Sequence, residues 1–77
     1  MKTDEFGFPY YDKLPDGYRL ATLDDFHQNG KKKIGLEFLI KRIWTDRYDV
    51  YTLNDNHQGA WINQFIKDNR VFIKRAL

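Results

Sequence analysis

Lys33-Ile34-Gly35-Leu36-Glu37-Phe38-Leu39-Ile40-Lys41-Arg42-Ile43-Trp44 runs through Thr45-Asp46-Arg47 into Tyr48-Asp49-Val50-Tyr51-Thr52-Leu53. In the first run Ile34, Leu36, Phe38 and Ile40 alternate with Lys33, Gly35, Glu37 and Lys41, the two-residue period of a half-buried strand. The second run concentrates aromatic and β-branched residues, which fit a pleated surface. Together they predict an antiparallel hairpin over residues 33–53. A turn centred on Asp46-Arg47 puts Trp44 opposite Asp49, Ile43 opposite Val50, Arg42 opposite Tyr51 and Ile40 opposite Leu53. Leu36, Phe38, Ile40 and Leu53 then share the expected core face. Glu37, Leu39, Lys41, Ile43, Tyr48, Val50 and Thr52 share a mixed second face. At about 3.3 Å per residue the first run would span about 40 Å. That is too long for a small domain, so the strand must bend or bulge, and Gly35 is the expected place.

Upstream, Leu14-Pro15-Asp16-Gly17 reads as a turn and Tyr18-Arg19-Leu20-Ala21 as a short strand. Thr22-Leu23-Asp24-Asp25 reads as a helix start, with a hydroxyl to cap and two carboxylates at the positive end of the dipole. Asn29-Gly30 is its expected stop, and Leu23 and Phe26 would share its buried side. Residues 1–13 read as an aromatic arm, because Phe6, Phe8, Tyr10 and Tyr11 are interleaved with Gly7 and Pro9, which oppose a helix. Downstream, residues 54–59 form a polar loop. Trp61, Ile62, Phe65 and Ile66 form an apolar stripe on a helix over 58–68, and Val71-Phe72-Ile73 is a last strand. The expected fold is α+β: a small antiparallel sheet in β-α-β-β-α-β order with one main amphipathic helix packed on one face. Residues 14–77 would be a single domain behind the 1–13 arm.

Seventy-seven residues allow one domain with a thin core. A content of 42% hydrophobic and 17% aromatic residues suffices for a compact fold and argues against global disorder. There is no cysteine, which excludes disulfides and thiolate-bound metal and points to a reducing, cytoplasmic compartment. The N-terminus has no apolar core of a signal peptide, and no apolar run approaches the ~20 residues of a membrane span. Net charge is +2, but residues 1–30 carry three basic and six acidic residues (net −3) and residues 31–77 ten and five (net +5). That asymmetry permits a basic surface or an acidic segment lying on a basic one.

Chemistry-bearing groups are sparse. His27 and His57 belong to no ligand pattern such as HxxxH, and Asp46, Asp49 and Asp55 sit where Asp serves turns and caps. Gly30-Lys31-Lys32-Lys33 lacks the rest of a phosphate loop. Neither an enzyme, a cofactor nor a metal site is expected. The expected function is a small binding module, for a protein partner or a second copy of the chain, acting through the hairpin. Its candidate residues are Lys33, Lys41, Arg42, Trp44, Arg47, Tyr48 and Tyr51, the cationic and aromatic types enriched in binding hot spots. The same mixture suits a single strand of nucleic acid, with cations for phosphates and rings for bases. The β-α-β-β-α-β order also resembles that of the RNA-recognition motif. Residues 33–40 lack that family's paired central aromatics and carry Glu37 among them, so the resemblance covers the order of elements alone.

Overall fold

The computed structural model describes residues 1–55 and 59–75, with backbone alone at 59 and 60. Asn56, His57 and Gln58, half of the polar loop, lie outside the described residues. The chain runs β1 (Lys2–Thr3), β2 (Pro9–Tyr11), β3 (Tyr18–Leu20), a 3₁₀ turn (Leu23–Phe26), β4 (His27–Gln28), β5 (Lys31–Lys32), β6 (Glu37–Lys41), β7 (Tyr48–Thr52), α1 (Gly59–Lys67) and β8 (Val71–Lys74). Six strands form one antiparallel sheet in the order β1-β2-β7-β6-β8-β3, and β4 with β5 forms a separate ribbon.

This corrects the expected fold. The protein is mostly sheet, and the β-α-β-β-α-β order, with its likeness to the RNA-recognition motif, does not survive. The first expected helix is one 3₁₀ turn. Asn29 (φ +55°) and Gly30 (φ +77°) are both left-handed, and they join His27↔Lys32 and Gln28↔Lys31 as a two-residue loop. That is a type I′ hairpin, for which Asn-Gly is the strongest local signal, not a helix stop. Phe26 is buried but Leu23 is exposed. The Asp25 carboxylate ties the turn down. It accepts the Thr22 amide at 2.7 Å and both terminal nitrogens of Arg19 at 2.9 and 2.7 Å.

Nor does a main helix cover one face. α1 has nine residues and meets the sheet chiefly along β8. Residues 1–13, read as an arm, hold β1 and β2, and β2 pairs with β7 through Tyr10↔Asp49 and Tyr11↔Tyr48.

The central hairpin is shorter and differently registered than expected. Ile40 stands opposite Asp49 and Phe38 opposite Tyr51. The first strand starts only at Glu37, because residues 33–36 form a turn in which Gly35 takes φ +92°. Relative to the expected Ile40–Leu53 pairing, the partner strand has slipped by four residues. An even slip leaves every side chain on its own face. Phe38, Ile40 and Leu53 accordingly lie in one core cluster with Phe26, Ile62, Val71 and Ile73, flanked by Trp61, Phe65 and Ile66. Phe26 meets Phe38 edge-on at 5.1 Å, and Tyr51 stacks on Phe38 at 5.8 Å, geometries that add to area burial.

The second face is also covered. Leu39 has 0% exposure, although the main cluster lies on the opposite side. Tyr48 of β7 and Phe72 of β8 flank β6, and their rings meet edge-on at 5.6 Å. Two strand spacings are about 9.6 Å, so the rings close over Leu39. The Tyr11 and Tyr18 rings lie 6.5 Å apart, although β2 and β3 are four strand steps apart, about 19 Å in a flat sheet. The sheet therefore curls, with this face inward.

Candidate functional site

The hairpin tip is built first by the backbone. The Arg42 amide donates to the Arg47 carbonyl at 2.9 Å, which leaves residues 43–46 as the loop. Trp44 takes φ +71° within it. A left-handed backbone costs a bulky L-residue roughly 1–2 kcal/mol. The Trp44 indole recovers nothing by packing, since it is 96% exposed, and its neighbour Ile43 is 54% exposed.

Below the tip, alternation puts Arg47, Asp49 and Tyr51 of β7 and its approach on one face. The pairing of residue 42 with 47 puts Arg42 there too. Arg47 donates from Nε to Asp49 Oδ1 at 2.7 Å and from a terminal nitrogen to Asp4 Oδ2 at 2.6 Å. Its guanidinium lies 4.1 Å above the Tyr10 ring. Asp49 accepts Arg42 Nε on its other oxygen at 2.8 Å. Asp4 also accepts the amides of Phe6 and Phe8 at 3.0 and 2.9 Å, which folds the β1–β2 turn around its carboxylate. The Arg47 hydrogen bond, aided by the Phe8 amide, holds the Asp4 carboxyl below its ordinary pKa. Asp4 and Asp49 in turn raise Arg47. The result is a chain of alternating charge, Asp4–Arg47–Asp49–Arg42, that ties the tip's base to β2 and the β1–β2 turn.

A cleft of about 310 Å³ opens beside this chain, lined by its four members together with Phe8, Pro9, Val50 and Tyr51. It exists because α1 leans on β8 and reaches this face no further than Tyr51, whose ring meets Trp61 at 5.9 Å. The Tyr10↔Asp49 register, carried two residues further, sets Phe8 beside Tyr51. Burial first, then Asp49, raises the Tyr51 pKa against the pull of Arg42, Arg47 and Arg70, so its phenol is neutral and can donate.

The residues singled out from sequence divide into four groups. Arg42, Arg47 and Tyr51 come together in the cleft. Trp44 stands at the tip. Lys41 and Tyr48 share the inward-curled face, with Tyr48 buried under Phe72. Lys33 lies in the turn at the other end of β6, its amide bonded to the Phe26 carbonyl at 3.0 Å. Asp49 as an arginine partner, Asp4, Phe8 and Tyr10 escaped the sequence reading. The Arg47-x-Asp49-x-Tyr51 spacing could have placed the first on the arginine's face. Asp4 lies 43 residues from its partner, and no local pattern announces it.

Among the described residues no group of His, Cys, Asp and Glu could hold a metal ion, and no helix is long and apolar enough to cross a membrane. His27 Nδ1 sits 3.2 Å from the Leu23 carbonyl. No family model, curated protein or solved structure matches the chain.

Proposed function

We propose that this protein is a non-enzymatic binding module that docks a protein partner through the tip of the β6–β7 hairpin. The observation that carries this reading is Trp44, a left-handed, 96% exposed indole beside an exposed Ile43. Its backbone cost of roughly 1–2 kcal/mol is not offset inside the chain. Burying about 200 Å² of indole against a partner would return about 5 kcal/mol before association costs, so docking outweighs the strain. The tip is also preorganised, because its base is fixed by the ion-pair chain, and a rigid aromatic anchor loses little entropy on binding.

Protein is favoured over nucleic acid by how the hairpin's arginines are used. Arg47 is spent on Asp4 and Asp49, and Arg42 engages Asp49, so phosphates would compete with carboxylates already in place. Lys41 and Tyr48 lie on the inward-curled face, so the candidate cations and rings do not form one track. The lack of cysteine supports a reducing cytoplasm as the compartment.

The test is photo-crosslinking from a benzophenone amino acid at position 44 in the native host, with and without nuclease. A protein adduct that is nuclease-resistant and weakly dependent on salt is expected. An adduct dominated by nucleic acid, or none beyond that from a probe at exposed Lys67, would overturn the reading. A dimer of this chain as the adduct would make the partner a second copy.

A further inference from the structure

The cleft beside β7 has its own chemistry, independent of the Trp44 tip. Arg42 engages Asp49 through Nε. Among the described residues its two terminal nitrogens hold no hydrogen bond, and its side chain, which lines the cleft, is half exposed. The chain Asp4–Arg47–Asp49 fixes the carboxylate that orients it, so the outward edge of the guanidinium is a positioned fork. Such a fork matches the two oxygens of a carboxylate or phosphate. A cation is a poor occupant, because both carboxylates already accept from arginines and, at Asp4, from two amides. The phenol of Tyr51 feels Arg42, Arg47 and Arg70 as well as Asp49. Phe8, 64% exposed, supplies an apolar wall, and Pro9 and Val50 complete the lining. A volume of about 310 Å³ is at the small end of ligand pockets.

We propose that this cleft binds an oxyanion, carboxylate or phosphate, carried on an aromatic or branched apolar group the size of one amino-acid side chain. The anion would take the terminal nitrogens of Arg42 and the Tyr51 hydroxyl, and the apolar body would lie against the Phe8 ring.

The test is a proton–nitrogen NMR titration of the full chain with benzoate, phenyl phosphate, inorganic phosphate and benzyl alcohol. Benzoate or phenyl phosphate should give saturable shifts at Phe8, Arg42 and Tyr51, and the tighter of the two names the class of anion. Inorganic phosphate and benzyl alcohol should each bind about tenfold more weakly or worse, since each lacks half of the recognition. Arg42→Gln should weaken the aryl anions about tenfold or more, the loss expected for a charge-assisted pair, while Lys67→Gln should change nothing. If Arg42→Gln loses its dispersed spectrum, Phe8→Ala decides. It should weaken the aryl anions and leave inorganic phosphate unaffected. No saturable shift from either aryl anion, equal binding of inorganic phosphate, or undiminished binding in the folded variants would overturn the proposal. The outcome is separate from that at the tip, because the crosslink at position 44 requires no occupant in the cleft.

Discussion

Replacing Trp44 by glycine should make this protein more stable. Trp44 is 96% exposed, so the substitution removes almost no burial. It does remove a left-handed bulky residue at φ +71°, worth roughly 1–2 kcal/mol. Glycine gives back about 0.4–1 kcal/mol through the greater freedom of the unfolded chain. The expected net gain is about 0.5–1 kcal/mol. Seventy-seven residues at about 2.1 cal/mol/K each give an unfolding entropy near 0.16 kcal/mol/K, so Tm should rise by about 3–6 °C. Circular dichroism melts of parent and Trp44→Gly measure this. The difference between their emission spectra isolates the Trp44 fluorescence, which should be red-shifted and fully open to acrylamide. The same variant should abolish the position-44 partner contact, so stability and binding would move in opposite directions, as expected where function holds a residue against the fold's preference. A loss of more than 1 kcal/mol, or a quencher-protected difference spectrum, would show that the indole packs on this chain and would remove the reason to place docking there.

Three further outcomes test the fold around the site. Arg19, with the Thr22 amide and hydroxyl, depresses the Asp25 carboxyl from 3.8 to about 2. Its stabilisation is therefore complete above about pH 5 and is lost as pH falls through 3.8 towards 2. The full shift corresponds to about 2.5 kcal/mol, and screening of the part-exposed Arg19 reduces it to about 1–2 kcal/mol. Asp25→Asn should lower Tm at pH 7 and show a shallower acid limb between pH 5 and 2; parallel acid limbs would refute the pairing. Leu39→Ala should cost about 3–4 kcal/mol by denaturant titration, because Leu39 is fully buried under Tyr48 and Phe72. Ile43→Ala, at an exposed position, should stay within about 0.5 kcal/mol, and equal losses would contradict the inward curl. Gly30→Ala should cost about 1 kcal/mol from backbone alone, since no atom lies within 4 Å of the added Cβ while φ is +77°; a neutral result would argue against the type I′ turn.

What could be read from the residues follows the distinction between parity and register. Alternation over residues 36–40 fixes which face a side chain takes, and Phe38 and Ile40 meet in the core. It does not fix the partner, because any even slip preserves the faces. The turn decides that, and it is centred on Trp44-Thr45, two residues before the expected Asp46-Arg47. No propensity argument puts tryptophan in the left-handed region. The fold class failed on short elements. A two-residue ribbon and a three-residue strand are too brief to show a period. Asn29-Gly30 serves a helix end and a type I′ hairpin alike, so the dipeptide alone did not choose between them.

The cleft is half legible for the same reason. Arg47, Asp49 and Tyr51 at i, i+2 and i+4 share a face under any register, and Arg42 joins them whenever the slip is even. Asp4, Phe8 and Tyr10 arrive by pairing of β2 with β7 across some forty residues, where the pairing alone brings the acidic N-terminal stretch onto the basic hairpin. That juxtaposition is one of the two outcomes the −3 and +5 halves allow, and it decides the electrostatics. The hairpin's arginines are held in alternating pairs with carboxylates instead of facing solvent as a basic track. Charge that would have served phosphate chains is used to orient one guanidinium and to brace one tip. Such pairing weakens the long-range field that would attract a polyanion, which is why both proposed sites turn on local recognition.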